Sequence, residues 1–404
     1  MPKKRLPASS SAASLLLASP SSSSVRGRFW LGLKVVGVAS ALFCVLALLR
    51  IQQEFRSTSL YLEKVRTAAE EAQTAATSLA PFEGAPKVAF LFLARAGLPL
   101  DFLWHAFFQN GDAGKFSIYI HSKPGFIFDE STTRSPHFYG RQLTESVKVA
   151  WGESSMIEAE RLLLRAALGD LSNQRFALIS DRCVPLHNFS YIYNYLMSSS
   201  KSFIDSFLDV KEDRYNPKMF PTIPKEKWRK GSQWATLVRK HAEVVIADDI
   251  VFPVFKRHCK LQRWPALDLG GSRKAQKVTQ KEHDCIPDEH YIQTLFSMTE
   301  LEDELERRTV TYTFWNHTSS RKEKQDWHPI TFEYADANPR HIKEIKDIKY
   351  VYYETEYRTE WCRSNATPVP CFLFARKFAG GAAMRLLYEG IVGPFDPTTL
   401  LPTS

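Results

Sequence analysis

The sequence lacks the short signatures that announce most chemistries. It has no G-x-G-x-x-G turn, no P-loop, no H-E-x-x-H pair and no C-x-x-C. That removes glycine-cradled nucleotide sites, the common zinc-hydrolase helix and thiol redox or zinc-ribbon chemistry from consideration. No D-x-D provides the acidic pair that grips a divalent cation, and histidine and cysteine are too scattered for a zinc site. No metal or other cofactor is expected. Long basic runs are missing too. The formal net charge is +9, yet no five basic residues stand together and acids interleave throughout, as in Lys211, Glu212, Asp213, Arg214. A nucleic-acid partner is therefore not expected.

One long apolar run is present. Residues 29–49, FWLGLKVVGVASALFCVLALL, carry a single charge, Lys34. About 20 apolar residues cross a bilayer, and Lys34 lies close enough to one end to reach the interface. The preceding tail, 1–28, holds Lys3, Lys4, Arg5, Arg26 and Arg28 and no acid, whereas Glu54 comes soon after the run. This asymmetry predicts a type II anchor with the tail in the cytosol and the remainder in a lumen. The run ends without an A-x-A cleavage site, which argues against a removed signal peptide. Five cysteines beyond the span suit an oxidising compartment. So do three N-x-S/T sequons at Asn188, Asn316 and Asn365.

Residues 50–86 read as a stem. Their Ala- and Glu-rich stretch, LYLEKVRTAAEEAQTAAT, has few large apolar side chains and reads as a spacer or a weak self-association helix, so a homo-oligomer could form through span or stem. From Lys87 to Ser404 the texture is that of one catalytic domain. VAFLFLA, FSIYIHS and RFALIS are runs of the kind found in strands buried on both faces, and SFIDSF reads as a fourth strand. Between them, Ser155-x-x-Glu158 reads as a capping box opening a helix, and SYIYNYLMS as a second helix. HAEVVIADDIVFPVFKRHC reads as a helix broken near Pro253, with Asp248 and Asp249 on a solvated face. IPDEHYIQTLF opens a further helix, TYTFW, YVYYE and CFLFARKF read as later strands, and GGAAMRLLYEG as a closing helix. Strands alternating with helices predict an α/β fold around a parallel-type sheet. Ligands in such sheets bind beyond the C-terminal strand ends, where His121, Asp181 and Arg182 stand.

Eight segments taken in order resemble the Core-2/I-branching β-1,6-N-acetylglucosaminyltransferase family in its plant-type form. They are KVAFLFLAR, FSIYIHSKPGF, VAWGESSMIEAERLLLRAAL, FALISDRCVPLHNFSYIYNYL, WRKGSQWATLVRKHAEVV, CIPDEHYIQTL, TYTFWNHTS and CFLFARKF, spanning residues 87–385. The resemblance implies a GT-A-like fold, a Rossmann-like mixed sheet flanked by helices. It also implies a UDP-sugar donor, a glycan acceptor on a glycoprotein or polysaccharide, inversion at the anomeric carbon, no divalent metal, and residence in the Golgi membrane.

An inverting transfer without metal needs a carboxylate to take the acceptor proton and cations to hold the leaving diphosphate. Glu289, in PDEHYIQTL, matches the family's catalytic glutamate, and a helix N-terminus there favours its ionised form. Read without the resemblance, Asp288 and Glu289 complement a helix dipole. Lys377 matches the family's diphosphate lysine, with Arg376 beside it. The family's further arginine has no counterpart, and Arg358 and Arg363 are the nearby substitutes. His121 falls where the family contacts the donor, although H-S-K replaces its H-V-D. Trp315 resembles an acceptor-stacking aromatic, with a plain core Trp as the other reading, and Arg214 could meet an acceptor. With Lys218, Lys227, Arg229 and Lys230 it lies in the irregular stretch 209–233, which reads as a site-bordering loop whose cations face either an anionic sugar or solvent. The resemblance also implies a Cys362–Cys371 bridge. Cys259–Cys285 is a second pairing, leaving Cys183 free. The missing aspartate and arginine leave one alternative open, a non-catalytic homologue that binds glycans or scaffolds transferases.

Overall fold

The computed structural model describes residues 22–78, 83–211, 213–261, 284–315, 329–364 and 367–395. The chain forms two units, Met1–Arg56 and Ser57–Ser404. Helix α1 (Ser22–Ser78) contributes to both. In the first unit its apolar side chains, among them Val36, Val38, Phe43 and Leu48, are exposed. This stretch is long and apolar enough to cross a membrane.

The second unit opens with the rest of α1, which is more than a spacer. Val65 and Ala69 are buried, and Leu62 and Ala72 pack on the same stripe. The 62-65-69-72 spacing is one helix face. It lies beside Val244, Ala247, Leu295 and Thr299.

The strands of the second unit are β1 (Lys87–Leu93), β2 (Phe116–His121), β3 (Asn173–Ser180), β4 (Val184–Pro185), β5 (Ser202–Phe203), β6 (Thr236–Val238), β7 (Leu305–Glu306), β8 (Thr311–Thr313), β9 (Tyr350–Tyr353), β10 (Arg358–Trp361), β11 (Arg363–Ser364), β12 (Thr367–Pro368) and β13 (Phe374–Arg376). The main sheet runs β2-β1-β3-β6-β5-β7. β1 pairs parallel with β2 and β3, while β6 runs antiparallel to β3 and β5. The sheet is thus mixed, with a parallel core. The helices are α2 (Asp101–Gln109), α3 (Ser155–Leu168), α4 (Phe189–Ser198), α5 (Arg239–Ala247), α6 (Val251–His258), α7 (Tyr291–Met298), α8 (Pro339–Lys346) and α9 (Gly380–Tyr388).

β1 shows why the apolar runs read as buried strands. Its alternate side chains serve two different cores. Val88, Phe90 and Phe92 join Trp104, Phe107 and Phe108 of α2 and Leu386 of α9. Ala89, Leu91 and Leu93 join Leu163 of α3, Val244 of α5 and Phe296 of α7. Full burial of such side chains contributes roughly 1.5–3 kcal/mol each. The aromatic core is built largely of edge-on contacts, such as Phe90 against Phe108 at 5.2 Å and Phe92 against Trp104 at 5.0 Å.

Several local expectations are corrected. The strand expected over 202–207 keeps only Ser202–Phe203. The capping box does not form, because α3 is capped at Ser154 and the Ser155 hydroxyl accepts the Ala150 N–H at 3.0 Å instead. The break expected at Pro253 lies at residues 248–250. Pro253 falls in the first turn of α6, where a missing N–H costs nothing. Asp248 is buried rather than solvated. Its carboxylate accepts the N–H groups of Ile250, Val251 and Phe252 and the Tyr291 hydroxyl, so it caps α6.

Cys259 lies against Cys285 and Cys362 against Cys371, with Cα–Cα distances of 5.0 and 5.2 Å, within the range of a disulfide. Cys183 is buried and free. Asn188 is exposed at the N-cap of α4, where its side chain accepts the Tyr191 N–H at 2.9 Å. Asn316 and Asn365 lie outside the described residues.

Candidate active site

The register of the sheet brings the chemistry to one edge. Leu93 is level with both His121 and Ser180, so Arg95, His121, Asp181 and Arg182 stand at or just past the C-terminal ends of three parallel strands. The chain then turns from β3 into β4, the edge of a small sheet ordered β4-β13-β8. β13 ends at Arg376, level with Thr313 of β8, and the Phe378 N–H donates to the Arg182 carbonyl at 3.0 Å. Two sheets therefore deliver Arg95, Asp181, Arg182, Arg376 and Lys377 to one place.

The electrostatics of this place are those of an anion seat. Burial lowers the Lys377 pKa to about 8, and the neighbouring cations Arg376, Arg95 and Arg182 push it the same way. Arg376 is also held down by burial, against the pull of Asp181, Asp288 and Glu289. Its guanidinium stacks on Trp234 at 4.5 Å, and its Nε is buried without a hydrogen-bond partner. Asp181 is raised by burial, although Arg182 and Arg95 oppose the shift. Arg95, Arg182, Arg376 and Lys377 all act on Asp181, and Arg376 is shared with Asp288 and Glu289.

Arg95 is absent from the residues expected on sequence grounds, although it stands just beyond the first strand. The substitutes expected for the missing arginine do not reach this cluster. Arg358 is bound to Glu356 and Glu360 and donates to the Ser206 carbonyl at 2.8 Å. Arg363 is exposed on the β11–β12 hairpin.

Glu289 stands across Arg376 from this cluster. It ends a short 3-10 turn, Pro287–Glu289, just ahead of α7. The helix expected to begin at Pro287 therefore begins four residues later. The Glu289 carboxylate is held by side chains rather than by a helix end: Arg214 Nη1 donates to Oε2 at 2.8 Å, and Lys230 Nζ lies 3.9 Å from the same oxygen. Among the described residues Oε1 takes no hydrogen bond. The Glu289 carbonyl accepts the Gly231 N–H at 2.9 Å. Arg214 and Lys230 thus serve the carboxylate, and the stretch 209–233 borders it. Arg229, by contrast, makes a forked pair with Glu302, and Lys227 pairs with Glu300.

Two buried carboxyl groups stand behind Glu289: Asp288, expected only to complement a helix dipole, and Glu160, which no sequence expectation named. Burial, with Glu289 adjacent, raises Asp288 to about 7, and its Oδ1 has no partner. Glu160 of α3 is raised well above its ordinary value by burial and by Asp288, and accepts from Gln233 Nε2 at 2.7 Å. Nothing in an amphipathic helix pattern marks Glu160 as an inward-facing acid.

His121 is buried. Its Nε2 accepts the Val147 N–H at 3.1 Å, burial lowers its pKa, and its Nδ1 has no partner. The ring is therefore neutral, with an orphaned Nδ1–H donor at the strand end. Trp315 is 37% exposed and lies just past β8, at the end of the small sheet that carries Lys377. Among the described residues no cluster of three or more His, Cys, Asp or Glu could hold a metal ion.

Comparison with known proteins identifies the family. The family model described as "Core-2/I-Branching enzyme" matches residues 88–346. The protein described as "Glycosyltransferase BC10" from Oryza sativa subsp. japonica is 53% identical over 318 residues, covering 78% of this chain and 80% of its own. The region matched by the family model contains the main sheet, Arg95, His121, Arg182, Arg214 and Glu289, and with them most of the site. The chain belongs to the Core-2/I-branching enzyme family and is a glycosyltransferase.

Proposed function

We propose that this chain is an inverting transferase that moves a sugar from a UDP-sugar to a glycan hydroxyl, without a divalent metal, in the Golgi lumen. The observation that carries the reading is the pairing of one oriented carboxylate, Glu289, with a four-cation seat across Arg376. Glu289 is the base. Arg214 fixes Oε2, so Oε1 is the oxygen that accepts the acceptor's proton as the hydroxyl attacks the anomeric carbon. The C–O bond to UDP breaks on the opposite face, and the diphosphate leaves as an anion. Arg376 and Lys377, with Arg95 and Arg182, receive that charge, the role a metal fills in other transferases. His121 offers its Nδ1–H to the donor, and Trp315 offers a ring face to acceptor C–H groups. The donor sugar is GlcNAc, glucuronic acid or xylose.

The exposed apolar half of α1 and the basic tail before it support a type II anchor. Cysteine pairs at disulfide distance and the exposed sequon at Asn188 support a lumenal setting.

UDP release over a panel of donors and acceptors tests the reading. One donor should give turnover that survives EDTA, and Glu289→Gln should lower its kcat by about 100-fold or more with the fold intact. Loss of activity on chelation overturns the metal-free mechanism. Full activity in Glu289→Gln overturns the base. No turnover with any UDP-sugar would favour the non-catalytic, glycan-binding alternative.

A further inference from the structure

The β9–β10 hairpin exposes more aromatic surface than a folded chain ordinarily leaves in water. Tyr350, Tyr352 and Trp361 are 52%, 53% and 54% exposed. They share one face, because Tyr350 is level with Trp361 and Tyr352 lies two residues further along the strand. The Tyr350 and Trp361 rings lie 5.1 Å apart. Tyr357 stands at the turn with φ +50° and is more exposed still. Isolated exposed aromatics are ordinary, but a contiguous row marks a contact surface.

The opposite face of the same hairpin is bolted to the active site. The Tyr353 hydroxyl donates to Asp205, and Arg358 stacks on the Tyr353 ring at 4.2 Å. Asp205 accepts the Ser232 N–H at 2.8 Å, and the neighbouring Gly231 N–H holds the Glu289 carbonyl. From Tyr353 the chain of contacts reaches the base through Asp205 and residues 231–232. Lys211–Glu354, at 2.6 Å, ties the hairpin to the loop that carries Arg214. The hairpin that carries the exposed row is thus held, through its other face, by the segments that position Glu289.

We propose that Tyr350, Tyr352 and Trp361 form a platform for the distal sugars of the acceptor, so that the enzyme prefers an extended β-linked glycan of several units to a single sugar. Pyranosides with equatorial substituents present a flat C–H face, and aromatic rings bind such faces without needing charge. A rigid row on a strand suits an extended chain. The inference rests on the proposed transferase activity for its kinetic consequence, but not for binding.

The test therefore has a binding arm and a kinetic arm. The binding arm runs the full chain, in detergent and carrying Glu289→Gln, through affinity gels containing arabinoxylan, hydroxyethylcellulose or dextran. Retardation by a β-linked polymer but not by dextran is expected, and Tyr352→Ala and Trp361→Ala should each weaken it about tenfold. The kinetic arm compares acceptors of one and of five or six sugars. The same substitutions should raise KM for the long acceptor about tenfold, leaving kcat and the short acceptor unchanged. Trp361→Ala removes a cross-strand ring contact, so Tyr352→Ala, which has no ring partner among the described residues, is the decisive variant. Equal losses on both acceptors would mean a merely structural hairpin and overturn the proposal. So would unchanged retardation, or a loss of self-association in place of polymer binding. Absence of turnover alongside ring-dependent retardation would defeat the transferase reading and leave the platform standing.

Discussion

Gly231→Ala should damage both the fold and the setting of Glu289, the proposed base. Gly231 passes so close to residue 205 that a Cβ would lie 1.8 Å from the Asp205 carbonyl oxygen, 2.5 Å from its carbon and 3.1 Å from Gln293 Cγ. The two nearest obstacles are backbone, so no rotamer change clears them. The two segments must separate by about 1.5 Å to reach ordinary contact. They are joined by the reciprocal Phe207–Lys230 hydrogen bonds, both 2.8 Å, and Gly231 itself donates to Glu289. Losing two such bonds costs about 2 kcal/mol, and the overpacking adds about 1–3 kcal/mol. A total near 3–5 kcal/mol lowers Tm by about 4–7 °C in a domain of this size. Displacing the Glu289 backbone by about 1 Å should cost roughly 100-fold in kcat. Thermal unfolding of the full chain in detergent, with donor turnover measured on the same sample, reads both effects. An alanine variant with Tm within about 1 °C of wild type and undiminished kcat would refute the argument.

Three further outcomes are expected. For Lys377, lowered to about 8 mainly by burial, the charged form exists below that pH. kcat/KM for the donor should therefore fall as pH rises through about 8, and Lys377→Arg should flatten that limb; a limb unchanged by the substitution would assign it elsewhere. Asp288 is raised to about 7 in the folded chain, against an unfolded value of about 3.9. The folded state binds its proton more tightly, so the stabilisation is present below about pH 4 and lost as pH rises through about 7. Asp288→Asn should accordingly raise Tm more at pH 8 than at pH 5, and an equal shift at both would contradict the burial account. Finally, opening Cys259–Cys285 should lower stability more than opening Cys362–Cys371, because it closes 26 residues rather than 9. Loop closure predicts about 3.5 against about 2.6 kcal/mol, measured as the Tm of single Cys→Ser pairs.

The central strands are legible because a strand buried on both faces must be apolar at every position, and β1 to β3 nearly are. The strand at Ser202 is shorter than its pattern suggests, since SFIDSF alternates like a strand while Asp205 and Ser206 are used as tethers for the hairpin and for Arg358. Glu289 and Lys377 are reached through resemblance, because one acid and one lysine carry no signal by spacing. Arg95 is within reach of the sequence: it occupies the same place after the first parallel strand that Asp181 and Arg182 occupy after the third. Glu160 is not. Its inward placement comes from how α3 packs against Gln233 and Asp288, contacts 73 and 128 residues away in the chain. The stem departs from expectation for a physical reason as well: a stripe of Val and Ala looks too small to bury, yet small side chains allow a helix to approach closely.

That docked stem also determines what a protease can liberate. A cut ahead of Ser57 would release the catalytic unit with Leu62, Val65, Ala69 and Ala72 still covering α5 and α7. A cut near residue 80 would strip the stripe away and leave Val244, Ala247 and Leu295 facing water. Only the cut ahead of Ser57 thus yields a form that keeps its own cover.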